Sequence, residues 1–292
     1  MKIPKRLEPL IDDGLIDDVI RQLMSGKEAT VYVVRCGEDI RCAKVYKEAT
    51  KRSFRQSIDY TEGRKVKSSR QARAMAKGSK YGKQAQEDAW QSAEVDALYR
   101  LAAAGVKVPE PYNFYEGVLI MELVTDVSGN AATRLNDIIF SAEEARMHHQ
   151  TLLKEVVRML CAGIVHGDLS EFNILLGSDG PVIIDLPQAV DAAGNNHASA
   201  MLERDVNNLS AFFGRFAAEL LTTQYAKEIW ALYSRGLLSI DSELTGCFRQ
   251  NTKPVDLKSV IRVIDAVRDE EEARQIRIAE VGSKNLHKKR SH

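Results

Sequence analysis

Apolar positions along this chain keep one period for a stretch and then switch, and each switch marks an element. Over residues 1–20, Leu7, Leu10, Ile11, Leu15, Ile16, Val19 and Ile20 recur at helical spacing. That predicts one or two short helices, interrupted near Gly14, as an N-terminal extension. Between 21 and 46 the pattern becomes β-like. Arg21–Met24 reads as a short strand, Ser25-Gly26-Lys27-Glu28-Ala29 as a polar turn, and Thr30–Arg35 as a second strand. A connection at Cys36–Asp39 then leads into a third strand, Ile40–Tyr46. Helical spacing returns over 87–104, where Trp90, Val95, Leu98, Leu101 and Ala102 make one stripe that Gly105 ends. Val118–Val124 is a continuous apolar run, read as a buried strand.

Ser141 followed by Glu144 is a capping box, and it opens a helix expected to run to Ala162. Its core stripe is Leu152, Leu153, Val156, Val157 and Leu160. Ile174–Leu176 and Pro181–Ile184 flank a Gly-Ser-Asp-Gly turn and read as a hairpin. Beyond Asn195-Asn196 the pattern predicts helices over 200–221, 224–234, 255–268 and about 269–280. His148-His149 is read as part of a solvated helix face.

Composition narrows the class. The 292 residues carry 41 basic and 41 acidic side chains, 44% apolar and 28% charged residues, as expected of a soluble globular protein. Cys36, Cys42, Cys161 and Cys247 form no CxxC pair and read as reduced thiols of a cytoplasmic protein. The N-terminus lacks the apolar core of a signal peptide, and no run of about 18 apolar residues exists, so no membrane association is expected. Charge is uneven locally. Residues 47–86 hold twelve Lys/Arg and three acids with few large apolar residues. They read as a flexible basic loop, either simply solvated or an arm for RNA, a phosphoprotein or the acidic face of a partner. Nothing in the charge pattern points to DNA. Residues 283–292 read as a basic tail.

The candidate chemistry centres on His166-Gly167-Asp168-Leu169-Ser170-Glu171-Phe172-Asn173, followed by Ile183-Ile184-Asp185. An Asp, an Asn five residues on and a second Asp at the end of a strand suit phosphoryl transfer. Asp168 would accept the proton of the acceptor hydroxyl, and Asn173 and Asp185 would hold magnesium. Sugar, drug and protein kinases all share that layout. Lys44, in Cys42-Ala43-Lys44-Val45, stands where a strand lysine would meet ATP phosphates, although a solvated edge-strand lysine reads the same way. Ser25, Gly26 and Lys27 would cover those phosphates, although only Gly26 matches the usual glycine pattern and a plain hairpin turn fits equally. Glu94 is the better candidate to pair with Lys44, and Glu87 the other. Met121, Glu122 and Val124 would border the adenine ring.

Three stretches, Ser25–Tyr32, His166–Asn173 and Ile183-Ile184-Asp185-Leu186-Pro187-Gln188-Ala189-Val190, together resemble the RIO family of atypical protein kinases, and the similarity spans about residues 20–225. The chain looks like the branch that has a small helical extension instead of a winged-helix domain, with a long loop before the Glu-bearing helix. The resemblance implies an α+β, bilobal protein-kinase-like fold, trimmed relative to ordinary protein kinases. It would have a β-rich N-lobe over 21–124 with one long helix, and a mainly helical C-lobe over 125–282. It implies ATP with magnesium (manganese as an alternative ion), and serine/threonine phosphorylation of a protein substrate the sequence does not identify, autophosphorylation included. Carried over residue by residue, Asp168 is the base, Asn173 and Asp185 are metal ligands, and Lys44 with Glu94 orients the phosphates. It also implies two alternatives. One is a slow ATPase acting in ribosome assembly through an aspartyl phosphate at Asp185, with the basic loop over 47–86 contacting ribosomal RNA or a pre-ribosomal particle. The other, from the shared loop motif, is a small-molecule phosphotransferase of the aminoglycoside or choline kinase type.

Gly167 takes the place of the Arg that ordinary protein kinases use to bind an activation-loop phosphate, Ser170 takes the place of a Lys, and no APE sequence follows Asp185. Activity is therefore expected to be independent of phosphorylation after Asp185. Rates compared before and after phosphorylation of that segment check this, and a large gain would contradict it.

Overall fold

The computed structural model describes residues 3–26, 28–47 and 93–248. Lys27, residues 48–86 of the loop expected over 47–86, Glu87, the start of the helix expected from 87, and everything from 249 onward, including the helices expected over 255–280 and the basic tail, lie outside the described residues.

A five-stranded antiparallel sheet forms the N-terminal half, in the order β1-β2-β3-β5-β4. Its strands are β1 (Asp18–Ser25), β2 (Ala29–Cys36), β3 (Asp39–Tyr46), β4 (Pro111–Tyr115) and β5 (Val118–Glu122). Side chains alternate across it. Ala43, Val45, Val118 and Ile120 pack on one face against Leu7, Leu10 and Ile16 of the N-terminal segment. Tyr46, Leu119 and the partly buried Met121 belong to the larger core on the other face, with Val95, Leu98 and Leu101 of the helix that covers residues 93–103. The same core continues into Leu152, Val156 and Leu160 of the long helix and Ile183 beyond it.

The N-terminal extension is shorter in helix than its periodicity implies. Only Glu8–Asp12 is helical. Gly14 turns the chain in a left-handed conformation (φ 71°), and Asp17 N–H donates to the Arg35 carbonyl at 2.9 Å. That bond starts β1 at Asp18, so Val19 and Ile20 are strand residues, and the sheet begins before residue 21. β1 is an edge strand with register shifts at Val19/Arg21 and Gln22/Met24, which keep an exposed edge irregular.

The second half is mainly helical. The long helix is Ala142–Cys161, and its capping box forms as read: Glu144 N–H donates to Ser141 Oγ (3.2 Å) and Ser141 N–H to Glu144 Oε2 (2.8 Å). Two further helices follow, Ala198–Gly214 and Tyr225–Ser234. The helix expected to reach 221 stops at Gly214, and Ala218–Thr222 is a 3₁₀ turn. The hairpin expected over 174–184 forms as β8 (Ile174–Gly177) and β9 (Gly180–Ile183); not anticipated were β6 (Thr133–Arg134), which pairs with β8, and the pairing of β7 (Ile164–Val165) with β10 (Val190–Asp191). They tie the segments on either side of the Asp168 and Asp185 motifs together. No described helix is long and apolar enough to cross a membrane.

His149 is not solvated. It is 2% exposed, its Nε2 lies 3.0 Å from Ser210 Oγ, and its ring packs against Phe213 and Tyr225. Burial lowers its pKa from 6.5 to about 4. The fold holds it neutral, while an unfolded histidine protonates near 6.5. The stability this gives is intact above the unfolded pKa and is lost as pH falls toward about 4. Denaturation midpoints measured across that window should fall in the wild type and fall less in His149→Gln.

Candidate active site

A cleft of about 440 Å³ opens between the five-stranded sheet and the helical half. Ala29, Val31 and Cys42 form its roof and Leu175 and Ile184 its floor. Met121, Glu122, Leu123 and Val124, on the segment joining the two halves, close one side. The Glu122 carboxylate accepts from Glu110 N–H at 3.1 Å. The three residues expected at an adenine edge thus lie together on an apolar wall with backbone polar groups, the usual character of a small-ligand site.

Charge is concentrated at the inner end. Lys44 Nζ is 2.5 Å from Glu94 Oε1 and 3.1 Å from Asp185 Oδ1. The Lys44 and Glu94 side chains are only 13% and 7% exposed, whereas that of Asp185 is 48% exposed. Burial opposes the charge on Lys44, but the two carboxylates outweigh it and hold the pKa above the ordinary lysine value. Asp185 sits in the left-handed region (φ 68°), a conformation that costs free energy for a residue other than glycine, although Asp tolerates it better than most.

At the roof, Gly26 N–H donates to the Ala29 carbonyl at 2.9 Å, closing the turn between β1 and β2. Gly26 and Glu28 line the cleft. A Cβ on Gly26 would stand 3.6 Å from Ala29 O, an ordinary contact, so the backbone does not demand this glycine. Ser25 does not line the cleft: its Oγ is 3.2 Å from Thr30 Oγ1 and accepts from Lys47 Nζ at 3.1 Å. Lys47 Nζ also donates to Gly26 O at 2.6 Å. This lysine, the first of the basic stretch, clamps the turn, a role its position in a charge run conceals.

Asp168 and Asn173 are set by their backbone. Asn173 Nδ2 donates to the Asp168 carbonyl at 2.9 Å, and Ile184 N–H donates to the Asn173 carbonyl at 3.0 Å. Asn173 is thereby bonded both to Asp168 and to the residue preceding Asp185, and its amide oxygen is the end left for a cation. Gln188 Nε2 approaches Asp168 Oδ2 at 3.3 Å. Burial, with repulsion from Asp185, raises the Asp168 pKa against the pull of Arg204. Asn173 and Asp185 offer hard oxygen donors suited to magnesium, which takes few protein ligands and keeps the rest of its shell for phosphate and water. No group of three or more His, Cys, Asp or Glu that could hold a metal ion exists among the described residues.

Three supports of this loop were not read from sequence. Asp205 is 1% exposed and accepts from Gly167 N–H (2.8 Å) and Leu169 N–H (2.9 Å). Burial pushes its pKa up to about 7, against those two amides and Arg204. Arg204 donates to the Gly167 carbonyl, so an arginine does serve this loop, but it arrives from the helix Ala198–Gly214 and is already engaged. His166, buried and kept neutral with its pKa near 4 by desolvation, bonds the Ile184 carbonyl through Nε2 at 3.2 Å. Gly167 itself has φ 80°, which explains glycine where an arginine would be strained. A signal for Asp205 exists: it is a charged residue on the apolar face set by Met201, Leu202, Val206 and Leu209.

A family model for the RIO domain matches residues 30–226. The chain is 35% identical over 211 residues to the RIO-type serine/threonine-protein kinase Rio1 of Haloferax volcanii, covering 72% of this chain and 68% of that protein. It is 30% identical to the serine/threonine-protein kinase rio1 of Schizosaccharomyces pombe, covering 73% of this chain and 41% of the relative. To human RIO1 it is 29% identical, covering 74% and 36%. The chain thus spans less than half of the fission yeast and human relatives. Among solved structures, the Rio2 kinase of Chaetomium thermophilum, in an ADP/Mg2+-phosphoaspartate complex, superimposes with a TM-score of 0.50 at 19% identity, covering 80% of this chain and 73% of that one. That likeness is one of fold: the kinase-like, α+β architecture.

Asp205→Ala should strand two buried amides without an acceptor and cost about 2–5 kcal/mol of stability. Urea denaturation checks this, and Asp205→Asn, which keeps one acceptor oxygen, should recover part of the loss.

Proposed function

The chain belongs to the RIO family of serine/threonine protein kinases, and from that premise we propose that it moves the γ-phosphoryl group of ATP to a protein hydroxyl, itself included, with Asp168 as the base. The observation that carries this reading is the Lys44 ammonium bonded to Glu94 and Asp185 at the inner end of a cleft that Asp168 also lines.

The chain's residues would divide the work as follows. Met121, Glu122 and Val124 bind the adenine edge. The turn at Gly26, clamped by Lys47, covers the phosphates. Lys44, held by Glu94, donates to phosphate oxygens and orients them. Asp185 and Asn173 would hold a magnesium ion, which supplies charge neutralisation at the β- and γ-phosphate oxygens. Asp168 accepts the hydroxyl proton as that oxygen bonds to the γ-phosphorus and the bond to the ADP oxygen breaks. The gain is positioning and fixed charge. Four unpaired cysteines support a reducing, cytoplasmic setting. The expected RNA or pre-ribosomal partner rests on the basic stretch, almost all of it outside the described residues.

Purified protein incubated with γ-labelled ATP and magnesium should acquire label that resists hydroxylamine, as a phosphoserine or phosphothreonine does. Hydroxylamine-labile label would favour an acyl phosphate and ATPase turnover instead. Asp168→Ala should lower transfer roughly 10²–10⁴-fold while ATP still raises the melting temperature. Asp185→Ala should abolish the metal-dependent part of that rise.

A further inference from the structure

If Lys44 and Glu94 orient the phosphates of ATP, Lys44 cannot keep its present bonding once nucleotide arrives. Its ammonium must share its donors with phosphate oxygens, and Asp185 must turn to the metal. Glu94, its side chain 7% exposed, then loses part of the positive charge beside it. A buried carboxylate has several acceptor sites and is costly to leave under-bonded.

Tyr46 lies two positions beyond Lys44 on β3, so both side chains leave the sheet on the cleft face. It is 4% exposed. Its ring is 5.5 Å from Lys44 Nζ, within cation–π range, and stands edge-on to Phe114 with centroids 6.3 Å apart. The hydroxyl is sealed from solvent and makes no well-formed hydrogen bond among the described residues, although the Glu94 carboxylate lies within reach of it. Phenylalanine would fill the same space without that cost, since a buried tyrosine hydroxyl ordinarily has a partner. After burial itself, the Glu94 carboxylate acts most strongly on this hydroxyl, and together they hold its pKa well above the ordinary tyrosine value. It therefore keeps its proton and is available as a donor.

Resting on the kinase reading above, we propose that Tyr46 is a positioning residue for the Lys44–Glu94 pair, its hydroxyl donating to Glu94 when bound nucleotide draws Lys44 toward the phosphates. A neutral donor suits that task. It steadies the carboxylate without adding a cation that would compete with Lys44, while the ring face keeps the ammonium on the cleft side.

The test is Tyr46→Phe in the full chain, with and without Glu94→Gln, read by melting temperature of the free protein and by kcat and KM for ATP. Removing a buried hydroxyl that makes no well-formed bond should leave the melting temperature equal or raise it. Removing a donor to a carboxylate should lower kcat roughly ten-fold with a smaller change in KM. In the Glu94→Gln background, where the charge is gone, Tyr46→Phe should lower kcat much less. A kcat unchanged by Tyr46→Phe overturns the proposal, as does a fall in melting temperature alongside kcat, which marks a purely structural role, or an equal loss in both backgrounds. A wild-type protein that transfers no phosphate under conditions where Asp168→Ala is its control overturns the kinase reading itself, a result distinct from a silent Tyr46 in an active enzyme.

Discussion

One ammonium between two carboxylates holds the working parts of this molecule in register. Lys44 comes from the middle of the sheet, Glu94 from the helix over 93–103 and Asp185 from the segment after β9, so three elements far apart in the chain meet at one charge. Taking Lys44 and Glu94 out of water carries a penalty of several kcal/mol per ion, which the contact offsets only with the pair intact. The interaction thus specifies an arrangement more than it stabilises a fold. It fixes how the helix lies against the sheet and how closely Asp185 approaches the roof of the cleft. The more exposed Asp185 is the partner that can leave.

Around that charge, backbone conformation does what side chains alone could not. Asp185 adopts a left-handed φ, and Gly167 a left-handed φ that only glycine adopts freely. Each turn is secured by bonds from elsewhere: Asp205 takes the two amides at Gly167 and Leu169, and His166 reaches Ile184. The Asp168 loop is therefore held by the helix Ala198–Gly214 as firmly as by its own sequence neighbours. Asp168 and Asn173 can remain partly open to the cleft because the rigidity lies behind them.

Elements with a strong local signature were legible. The capping box at Ser141 and Glu144 starts the long helix because two orphan amides are satisfied within four residues. Alternation along β3 places Cys42, Lys44 and Tyr46 on one face. Where a short apolar run fitted two periods, tertiary contact decided. Val19 and Ile20 fitted a helix as well as a strand until Asp17 paired with Arg35. His149 looked solvated beside His148, but the helix turns it toward Ser210, Phe213 and Tyr225.

By itself, the sequence determined which chemistry to propose, because phosphoryl transfer needs particular donors at particular short spacings, and the proposed Asp168, Asn173 and Asp185 keep those spacings along the chain. It also determined the elements that bear them, since hydrogen bonding within a helix or hairpin is local. Only the tertiary structure decided which glutamate meets Lys44, that Lys47 clamps the turn at Gly26, that Asp205 supports the loop and that the Tyr46 hydroxyl is left without a well-formed bond among the described residues. Each of these depends on burial or on contact between residues about 20 to 50 positions apart. Burial and long-range contact follow from how the elements pack, and no spacing along the chain encodes them.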